Sequence, residues 1–408
     1  MKKLFSMILA LAMLLSVSCA TLAAGDDLAA APEVKSANVF VTSSSAGKPV
    51  LEQEPVEVTD GDKDGVISIY DAILTAHIMY AVKGADDFAV RESEYGPTIE
   101  KLWGVENGGS YMYYLNDGFV TGLRTEVKDG DRINVYSFRD LKSWSDVYTF
   151  FDKSETTVSL GKTLELRLMG YDYSLDPNGG ASPIAGAYIT LNGEKTDHVT
   201  DADGRVSLSF EEMGRYVISA GSDSATLVPP VTVVNVTFAD VDAGDWYAAA
   251  VKRVYDRGLM VGASGAEFAP KSNMTIAQFW TIIYRIGVDK GYFGDGIQTE
   301  GENWQESAKV LNERSELGFP DIDKKMTRGE MAAMCEFAFS QESYSFAAEK
   351  SFTDQAGSQY EKAIALIHDA GIIDGYEDGS FRPDNYITRA EVAQVVVRLE
   401  NVLKRSVN

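Results

Sequence analysis

The sequence predicts a multidomain protein, with an α+β domain, then a β-sandwich domain, then an all-α domain built from three repeats. Three observations carry this prediction. An aspartate-rich loop and an apolar helix sit among short alternating strands in the first third of the chain. From Glu155 to Val236 the pattern is wholly that of strands and turns. Beyond Pro229-Pro230 a unit of glycine, turn, proline and threonine returns before apolar helices. A length of 408 residues fits roughly two to four such domains.

The chain opens with Met1-Lys2-Lys3, an apolar run from Leu4 to Val17 and small residues up to Ala24. Residues 1–24 therefore read as a secretory signal peptide, with cleavage expected after Ala20, Ala23 or Ala24. Cys19 suggests lipidation, but Ser16 stands three positions earlier, where such a signal wants an aliphatic residue. No other stretch is apolar and long enough for a transmembrane segment. Residues 25–37, rich in Ala and Asp, read as a disordered leader.

The formal charge is -24, from 37 basic and 61 acidic residues, and loss of Lys2 and Lys3 makes it more negative still. That argues against nucleic acid and anionic membranes as partners, and fits a solvated surface protein that can recruit cations. With Cys19 removed, only Cys335 remains, so no internal disulfide can form; its apolar helical setting makes it a buried small hydrophobe.

Residues 38–152 form the α+β unit, with strands at Asn38 to Thr42 and near Pro55 to Val58. Between them and a helix from Asp71 lies a loop with Asp60, Asp62 and Asp64 at positions 1, 3 and 5, Gly65 at 6, Ser68 at 9 and Asp71 at 12. Oxygen ligands at that spacing, with the Val66 carbonyl, suit calcium. Mutual repulsion of close carboxylates favours a cation, while an Asx-rich turn that merely caps the helix is the metal-free alternative. The loop resembles an EF-hand half site or the calcium loop of dockerin modules, although Asp71 stands where a bidentate Glu is usual.

His77, near the core-facing edge of the helix, reads as a packed residue. Trp103, Tyr111, Tyr113, Trp144 and Tyr148 could line a glycan or peptide groove, with sheet packing as the plainer account. The strand pair, the Asp71-Ala72 helix start, the Tyr113 to Asn116 strand and the Lys128-Asp129-Gly130-Asp131 turn resemble the small β-grasp-like domains of secreted bacterial surface proteins. Some of those resemble the C-terminal domain of cobalamin-carrying proteins, but no corrin pocket is evident here. Residues 153–236 resemble an immunoglobulin-like or prealbumin-like spacer, in which Asp201 and Asp203 read as an ordinary β-turn.

In the C-terminal part, Gly371, Gly375, Phe381, Pro383 and Thr388 match Gly258, Gly262, Phe268, Pro270 and Thr275 at one constant offset. A third copy runs from Trp304 through Gly318-Phe319-Pro320-Asp321, a shorter turn, to Thr327-Arg328-Gly329-Glu330. In each, a Thr N-cap and a Glu or Gln three residues later make a capping box: Thr275 with Gln278, Thr327 with Glu330, and Thr388 with Glu391. Capping gives no reason for Arg328 or Arg389, and a cation in the first turn opposes the helix dipole. These arginines need another role.

With Phe238-Ala239-Asp240 and Trp246 opening the first unit, and Phe352-Thr353-Asp354 and Tyr360 the last, the region 237–408 is similar to three S-layer homology (SLH) repeats, at 237–290, 300–340 and 351–405. That resemblance implies a pseudo-threefold helical prism. It also implies a protein held non-covalently to secondary cell wall polysaccharide, often pyruvylated, and associated peptidoglycan. Arg328 and Arg389 would be its binding arginines, with Asp240, Trp246, Asp354 and Tyr360 from the repeat openings and Gly262 and Gly375 lining grooves.

Ile276 and Gln278 depart from the expected Arg and Glu, so the first copy is expected to fold normally and contribute little to anchoring. The implied role is a secreted, wall-associated structural or adhesion protein. The alternative is a displayed glycan-, peptide- or corrinoid-binding protein, and a wall glycoside hydrolase ranks lower. No enzyme is expected: there is no Gly-x-Ser-x-Gly elbow, no Cys or His metal cluster and no phosphate-binding glycine loop.

Overall fold

The computed structural model describes residues 35–45, 47–93, 96–143, 145–171, 179–289, 304–340 and 351–404. The signal peptide, Cys19, Trp144 and most of the leader lie outside the described residues.

The first domain starts with an antiparallel hairpin, β1 (Ser36–Ser45) and β2 (Lys48–Thr59), followed by helix α1 (Ile69–Tyr80). A small sheet of β3 (Ala89–Ser93), β4 (Gly96–Leu102) and β5 (Val105–Glu106) follows. Then β6 (Tyr111–Leu115), β7 (Gly118–Phe119) and β8 (Arg132–Ser137) complete a five-stranded sheet of order β2-β1-β8-β6-β7, in which β1 and β8 run parallel.

Alternation explains the sheet, because Ala37, Val39, Val56 and Val58 turn to one buried face. Helix α1 covers that face with Ile69, Ala72, Ile73 and Ala76, spaced one helical turn apart. The helix begins before the expected Asp71. Ser68 is its N-cap, and the Ser68 and Asp71 side chains form a reciprocal capping box.

The sandwich takes one strand more than its sequence pattern indicates. β9 (Val147–Phe151), expected in the first domain, pairs antiparallel with β11 (Leu164–Tyr171) and parallel with β17 (Leu227–Val228). β12 (Ser182–Pro183) and β15 (Arg205–Leu208) also pair with β11. The facing sheet has the order β10 (Glu155–Ser159), β18 (Thr232–Thr237), β16 (Gly214–Gly221), β13 (Tyr188–Leu191), β14 (Glu194–Val199). Leu164, Leu166 and Leu168 alternate inward against Ile189, Ile218 and Val234.

β9 belongs here by its backbone ladder, and its aromatic side chain reaches back to the first domain. Tyr148 stacks on Tyr114 of β6 at 3.5 Å between ring centres and donates its hydroxyl to Asp117 at 2.9 Å. Tyr148 thus fills the joint between the two domains, and Tyr111 and Tyr113 are buried in the first core. Trp103 donates its indole N–H to Ser43 at 2.8 Å. These side chains are packing residues and do not form an open groove.

The third region holds α2 (Ala248–Asp256), α3 (Ile276–Asp289), α4 (Trp304–Arg314), α5 (Arg328–Ser340), α6 (Glu361–Asp369) and α7 (Arg389–Lys404). One core takes side chains from all three repeats, among them Phe268, Trp280, Met331 and Phe381. Each unit is too small to bury a core alone, so they share one. Cys335 lies within that core, and burial pushes its thiol pKa far up, leaving a protonated hydrophobe. Among the described residues no helix is long and apolar enough to cross a membrane.

Candidate functional site

The three repeats dock in a closed ring through their helix starts. The first N–H groups of a helix have no partner within it. In α3, Ile276 and Ala277 donate theirs to Lys324 and Ile322 of the second repeat, at 3.3 and 2.7 Å. In α5, Arg328 and Gly329 donate to Asn385 and Pro383 of the third repeat, both at 2.8 Å. In α7, Arg389 and Ala390 donate to Ser272 and Pro270 of the first, at 2.8 and 3.0 Å. Each helix therefore presents its N-terminal side chains to a different repeat from its own.

The threonine caps fix those helix starts. Thr275, Thr327 and Thr388 accept from the N–H of Gln278, Glu330 and Glu391 at 3.2, 3.2 and 3.3 Å. The Gln278, Glu330 and Glu391 side chains accept from the threonine N–H in return, at 3.0, 2.8 and 2.8 Å.

The turns that receive the helices are held by aspartates. Asp240 accepts from the N–H of Phe268 and Ala269 at 2.8 and 2.7 Å, and Asp354 from Phe381 and Arg382 at 2.7 and 2.8 Å. Ala269 and Arg382 both have positive φ, near 60°, so the carboxylates stabilise a conformation these residues disfavour. Gly262 and Gly375 lie under the same turns. A Cβ on Gly262 would strike Phe238, and one on Gly375 would strike Phe352.

Two grooves open beside these turns. The larger, of about 410 Å³, is lined by the 259–263 turn, by Gln278, Thr281 and Arg285 of α3, and by Arg389 of α7. The smaller, of about 250 Å³, is lined by the 372–376 turn, by Glu391 and Arg398 of α7, by Arg328 of α5 and by Trp246. They are the same construction at the repeat offset. Arg389 donates to Phe268 O at 2.7 Å as Arg328 donates to Phe381 O at 2.8 Å. Arg285 donates to Leu259 O at 2.8 Å as Arg398 donates to Ile372 O at 3.2 Å.

Their charge differs. In the smaller groove Arg328 meets Glu391 at 3.1 Å and Arg398 meets Asp374 at 2.7 Å. In the larger groove the corresponding positions carry Gln278 and Val261, and among the described residues neither Arg285 nor Arg389 has a carboxylate within 4.0 Å. Burial lowers the pKa of both, with Asp240 acting against this at Arg389. Asp240 thus offsets part of the Arg389 charge, and two guanidinium groups against this one carboxylate leave the larger groove with a net positive lining.

At the third interface Ile276 takes the arginine position. Glu330 instead pairs with Lys324 at 2.6 Å, beside the half-buried Tyr360, which packs over Gly329.

The resemblance drawn from sequence implies Arg328 and Arg389 as binding arginines. Arg328 is 3% exposed and Arg389 8% exposed, and both hold neighbouring turns together. Trp246 is 63% exposed at the rim of the smaller groove. Arg285 escaped sequence reasoning, although its match to Arg398 at the repeat offset was available as a signal. The first repeat, expected to contribute little, supplies most of the larger groove.

In the aspartate-rich loop, carboxylate oxygens of Asp60, Asp62 and Asp71 lie within 4.8 Å of one another. Asp64 turns toward Arg124, at 3.2 Å, and Ser68 donates its hydroxyl to Asp71 at 2.7 Å. Asp60 accepts from Gly65 N–H at 2.9 Å, Asp64 from Val66 N–H at 2.9 Å and Asp71 from Gly61 N–H at 2.9 Å. Partial burial raises the Asp62 pKa, and the Asp64, Asp71 and Asp60 charges add to this. Three carboxylates this close could supply part of the roughly six to eight oxygen donors that a cation such as calcium takes.

Comparison with known proteins identifies S-layer homology domain sequence at 237–279 and 351–393, the first and third repeats. Exoglucanase XynX of Acetivibrio thermocellus is 25% identical over 82% of this chain and 31% of its own length. Cell surface glycoprotein 1 of the same species is 33% identical over 21% of this chain and 4% of its own. The chain thus spans less than a third of these curated relatives. Among solved structures, the Clostridium thermocellum CbhA fibronectin(III)-like modules align over 33% of this chain and 81% of theirs, at 10% identity and a TM-score of 0.20.

Proposed function

We propose that this is a secreted bacterial surface protein, held non-covalently at the cell wall by its C-terminal repeats, with the two N-terminal domains projecting as structural or adhesion modules. The observation that carries the reading is the larger groove, where Arg285 and Arg389 face a cleft without a carboxylate partner among the described residues. A guanidinium in a partly dry groove binds carboxylates by charge-assisted hydrogen bonds. This lets a chain of net charge -24 take an acidic polymer, since attraction is local while repulsion between distant exposed charges is screened. Secondary cell wall polysaccharide, pyruvylated or otherwise acidic, is the partner that fits. The S-layer homology match supports wall association.

The role proposed is non-catalytic. His77 is buried between aromatic rings and His368 stacks on Phe352 at 4.2 Å, so neither is presented as a general base. The hairpin–helix start and the β2-β1-β8-β6-β7 order support reading the first domain as β-grasp-like. Its Asp60, Asp62 and Asp71 cluster is proposed to hold calcium, with Asp64, Val66 and Ser68 completing the loop.

The test is sedimentation of the full chain with purified wall, before and after acid removal of the secondary polymer. Binding to intact wall that is lost on stripped wall is expected. Equal sedimentation with both would overturn the polysaccharide reading.

A further inference from the structure

We infer that the two N-terminal domains are a tension-bearing stalk, because in each the strand by which the chain enters lies parallel to, and bonded along, the strand by which it leaves. This rests on the wall-anchoring reading above for the origin of the load. It adds what the projecting domains do, which is to stay folded under pull between the anchored repeats and a second attachment at the N-terminal end.

In the sandwich the chain enters along residues 147–160 and leaves along residues 226–237, and the two segments run side by side throughout. β17 pairs parallel with β9, Leu227 opposite Val147, and β18 pairs parallel with β10, Val233 to Thr237 opposite Glu155 to Ser159. Backbone bonds extend the ladders: Val147 N–H donates to Thr226 O, Val233 N–H to Ser154 O and Leu160 N–H to Thr237 O, each at 2.9 Å. Both segments cross from one sheet to the other between their two strands. At that crossing two fully buried threonines stitch them together. Thr149 Oγ1 donates to Val228 O at 2.6 Å, and Thr232 Oγ1 donates to Lys153 O at 2.7 Å.

The first domain repeats the arrangement on a different fold. Its first strand, β1, pairs parallel with its last, β8, Phe40 to Ser44 opposite Arg132 to Tyr136. Gly130 N–H donates to Asn38 O and Phe40 N–H to Asp131 O, both at 2.8 Å, which carries the pairing toward the entry end. Between the domains, the Tyr114–Tyr148 stack is joined by the Tyr171 hydroxyl, which donates to Asp117 O at 3.0 Å. Beyond the sandwich, Ser159 Oγ donates to Val241 O at 2.9 Å and ties β10 to the start of the repeats.

Parallel pairing decides how such a ladder meets force. The entry end of one strand and the exit end of its partner lie at opposite ends of the ladder, so tension slides one strand along the other and loads all the bonds together. In an antiparallel pair those two ends lie side by side, and the bonds open one at a time. Parallel ladders are slightly less stable per residue, so equilibrium stability gives no preference for them here. Resistance to pull is set by the unfolding rate, and bonds that must all break before the chain yields slow that rate.

The test is single-molecule pulling at constant load, coupled through introduced cysteines. It uses the chain without its expected signal peptide, which removes Cys19 and leaves only the buried Cys335. Lys142→Cys with Ala243→Cys pulls the sandwich end to end and keeps the repeats off the load path. Lys162→Cys with Ala243→Cys grips β10 and β18 at one end and peels them apart. End-to-end unfolding is expected to be at least about tenfold slower than peeling at the same load. The first domain, pulled from Lys35→Cys and Lys142→Cys, is expected to be as slow as the sandwich pulled end to end. Thr149→Val combined with Thr232→Val is expected to speed the end-to-end event of the sandwich by about tenfold. Thr196→Val removes a like bond, to Ile189 O at 2.9 Å, between β14 and β13, off the loaded pair, and is expected to leave that rate within about twofold.

The inference is overturned if the two sandwich geometries unfold within about twofold of each other, if the first domain yields as fast as the peeled sandwich, or if the threonine pair acts no more strongly than Thr196→Val. The comparison of geometries leaves the clamp residues unaltered, so it decides even where the double variant does not fold. Wall sedimentation that ignores polymer removal while the pulling results hold defeats only the wall reading. Polymer-dependent sedimentation with equal rates in both geometries defeats only this inference.

Discussion

Arg328 Nη1 lies 3.1 Å from Glu391 Oε1, so a guanidinium from the second repeat is neutralised by a carboxylate from the third. The same helix positions bring Arg389 of the third repeat to the groove lined by Gln278 of the first. Ring closure is what makes one substitution act at a distance. Because the starts of α3, α5 and α7 each dock on the next repeat, a Glu-to-Gln difference in the first copy alters the charge around the third copy's arginine. The missing arginine of the first copy, at Ile276, leaves Glu330 of the second to pair with Lys324.

Asp240 is a structural clamp on its turn, so Asp240→Ala should act on stability before it acts on binding. Its two bonds, at 2.8 and 2.7 Å, hold the positive-φ Ala269 below the larger groove. Hydrogen bonds to a charged group contribute a net of about 1.5–3 kcal/mol each, and partial exposure places the two together toward the low end. Urea denaturation should show about 2–3 kcal/mol lost. An unchanged midpoint would show that the turn is held by other contacts.

Gly375 has φ +75° and faces the ring of Phe352. Gly375→Ala therefore combines left-handed strain with overlap in the core, and should cost about 2–4 kcal/mol of stability. Gly262 has no positive φ, but a Cβ there would meet the backbone carbonyl of Ser264 first and Phe238 next, so Gly262→Ala should cost about as much through overlap alone. Thermal midpoints of both variants should fall by similar amounts. An unchanged midpoint for Gly262→Ala would show that the turn carrying Ser264 yields without cost.

Much of this was legible in local sequence, and the remainder depended on long-range pairing. Thr388 and Glu391 lie three residues apart, and their capping geometry follows from that spacing alone. The aspartate-rich loop and the α1 face are equally local. Arg389 could not be read this way, because the carbonyls it bonds belong to Phe268 and Val261, in another repeat. Its apparent conflict with the helix dipole disappears once the guanidinium is seen to cross to a neighbouring turn. The strand Val147–Phe151 was misplaced for a similar reason, since its partner β11 lies on the far side of the assumed boundary.

His77 supplies a pH test of the first domain. It is fully buried, accepts from Trp103 N–H at 3.4 Å and contacts the Trp103 and Phe88 rings. Burial lowers its pKa below the ordinary 6.5, against smaller opposing effects of Gly84 and Asp87. The folded state therefore keeps it neutral where the unfolded chain binds a proton. Its contribution is fully present above the unfolded pKa and declines as pH falls through it, by at most about 1.4 kcal/mol per pH unit. Denaturation of the first domain should become easier between about pH 7 and 5.5, and His77→Gln should flatten that dependence. Ring-proton NMR that finds His77 titrating at or above the ordinary value would contradict the assignment.

The calcium site proposed at the aspartate-rich loop gives a prediction whose sign reverses with conditions. Without metal, burial and then the charges of Asp64, Asp71 and Asp60 raise the Asp62 pKa, so Asp62→Asn should relieve repulsion and stabilise the first domain slightly. With calcium, the same change removes one of three converging carboxylates, so the variant should bind more weakly and gain less stability from the ion. A ligand present at a hundred times its dissociation constant stabilises by about 2.7 kcal/mol, and a wild-type gain of this order should shrink in the variant. Calorimetry with calcium and then chelator separates the two effects, because the order of the wild-type and Asp62→Asn midpoints should invert. If both proteins keep the same midpoints with metal and with chelator, the loop acts as a helix-capping turn, and the Ser68–Asp71 box accounts for its sequence.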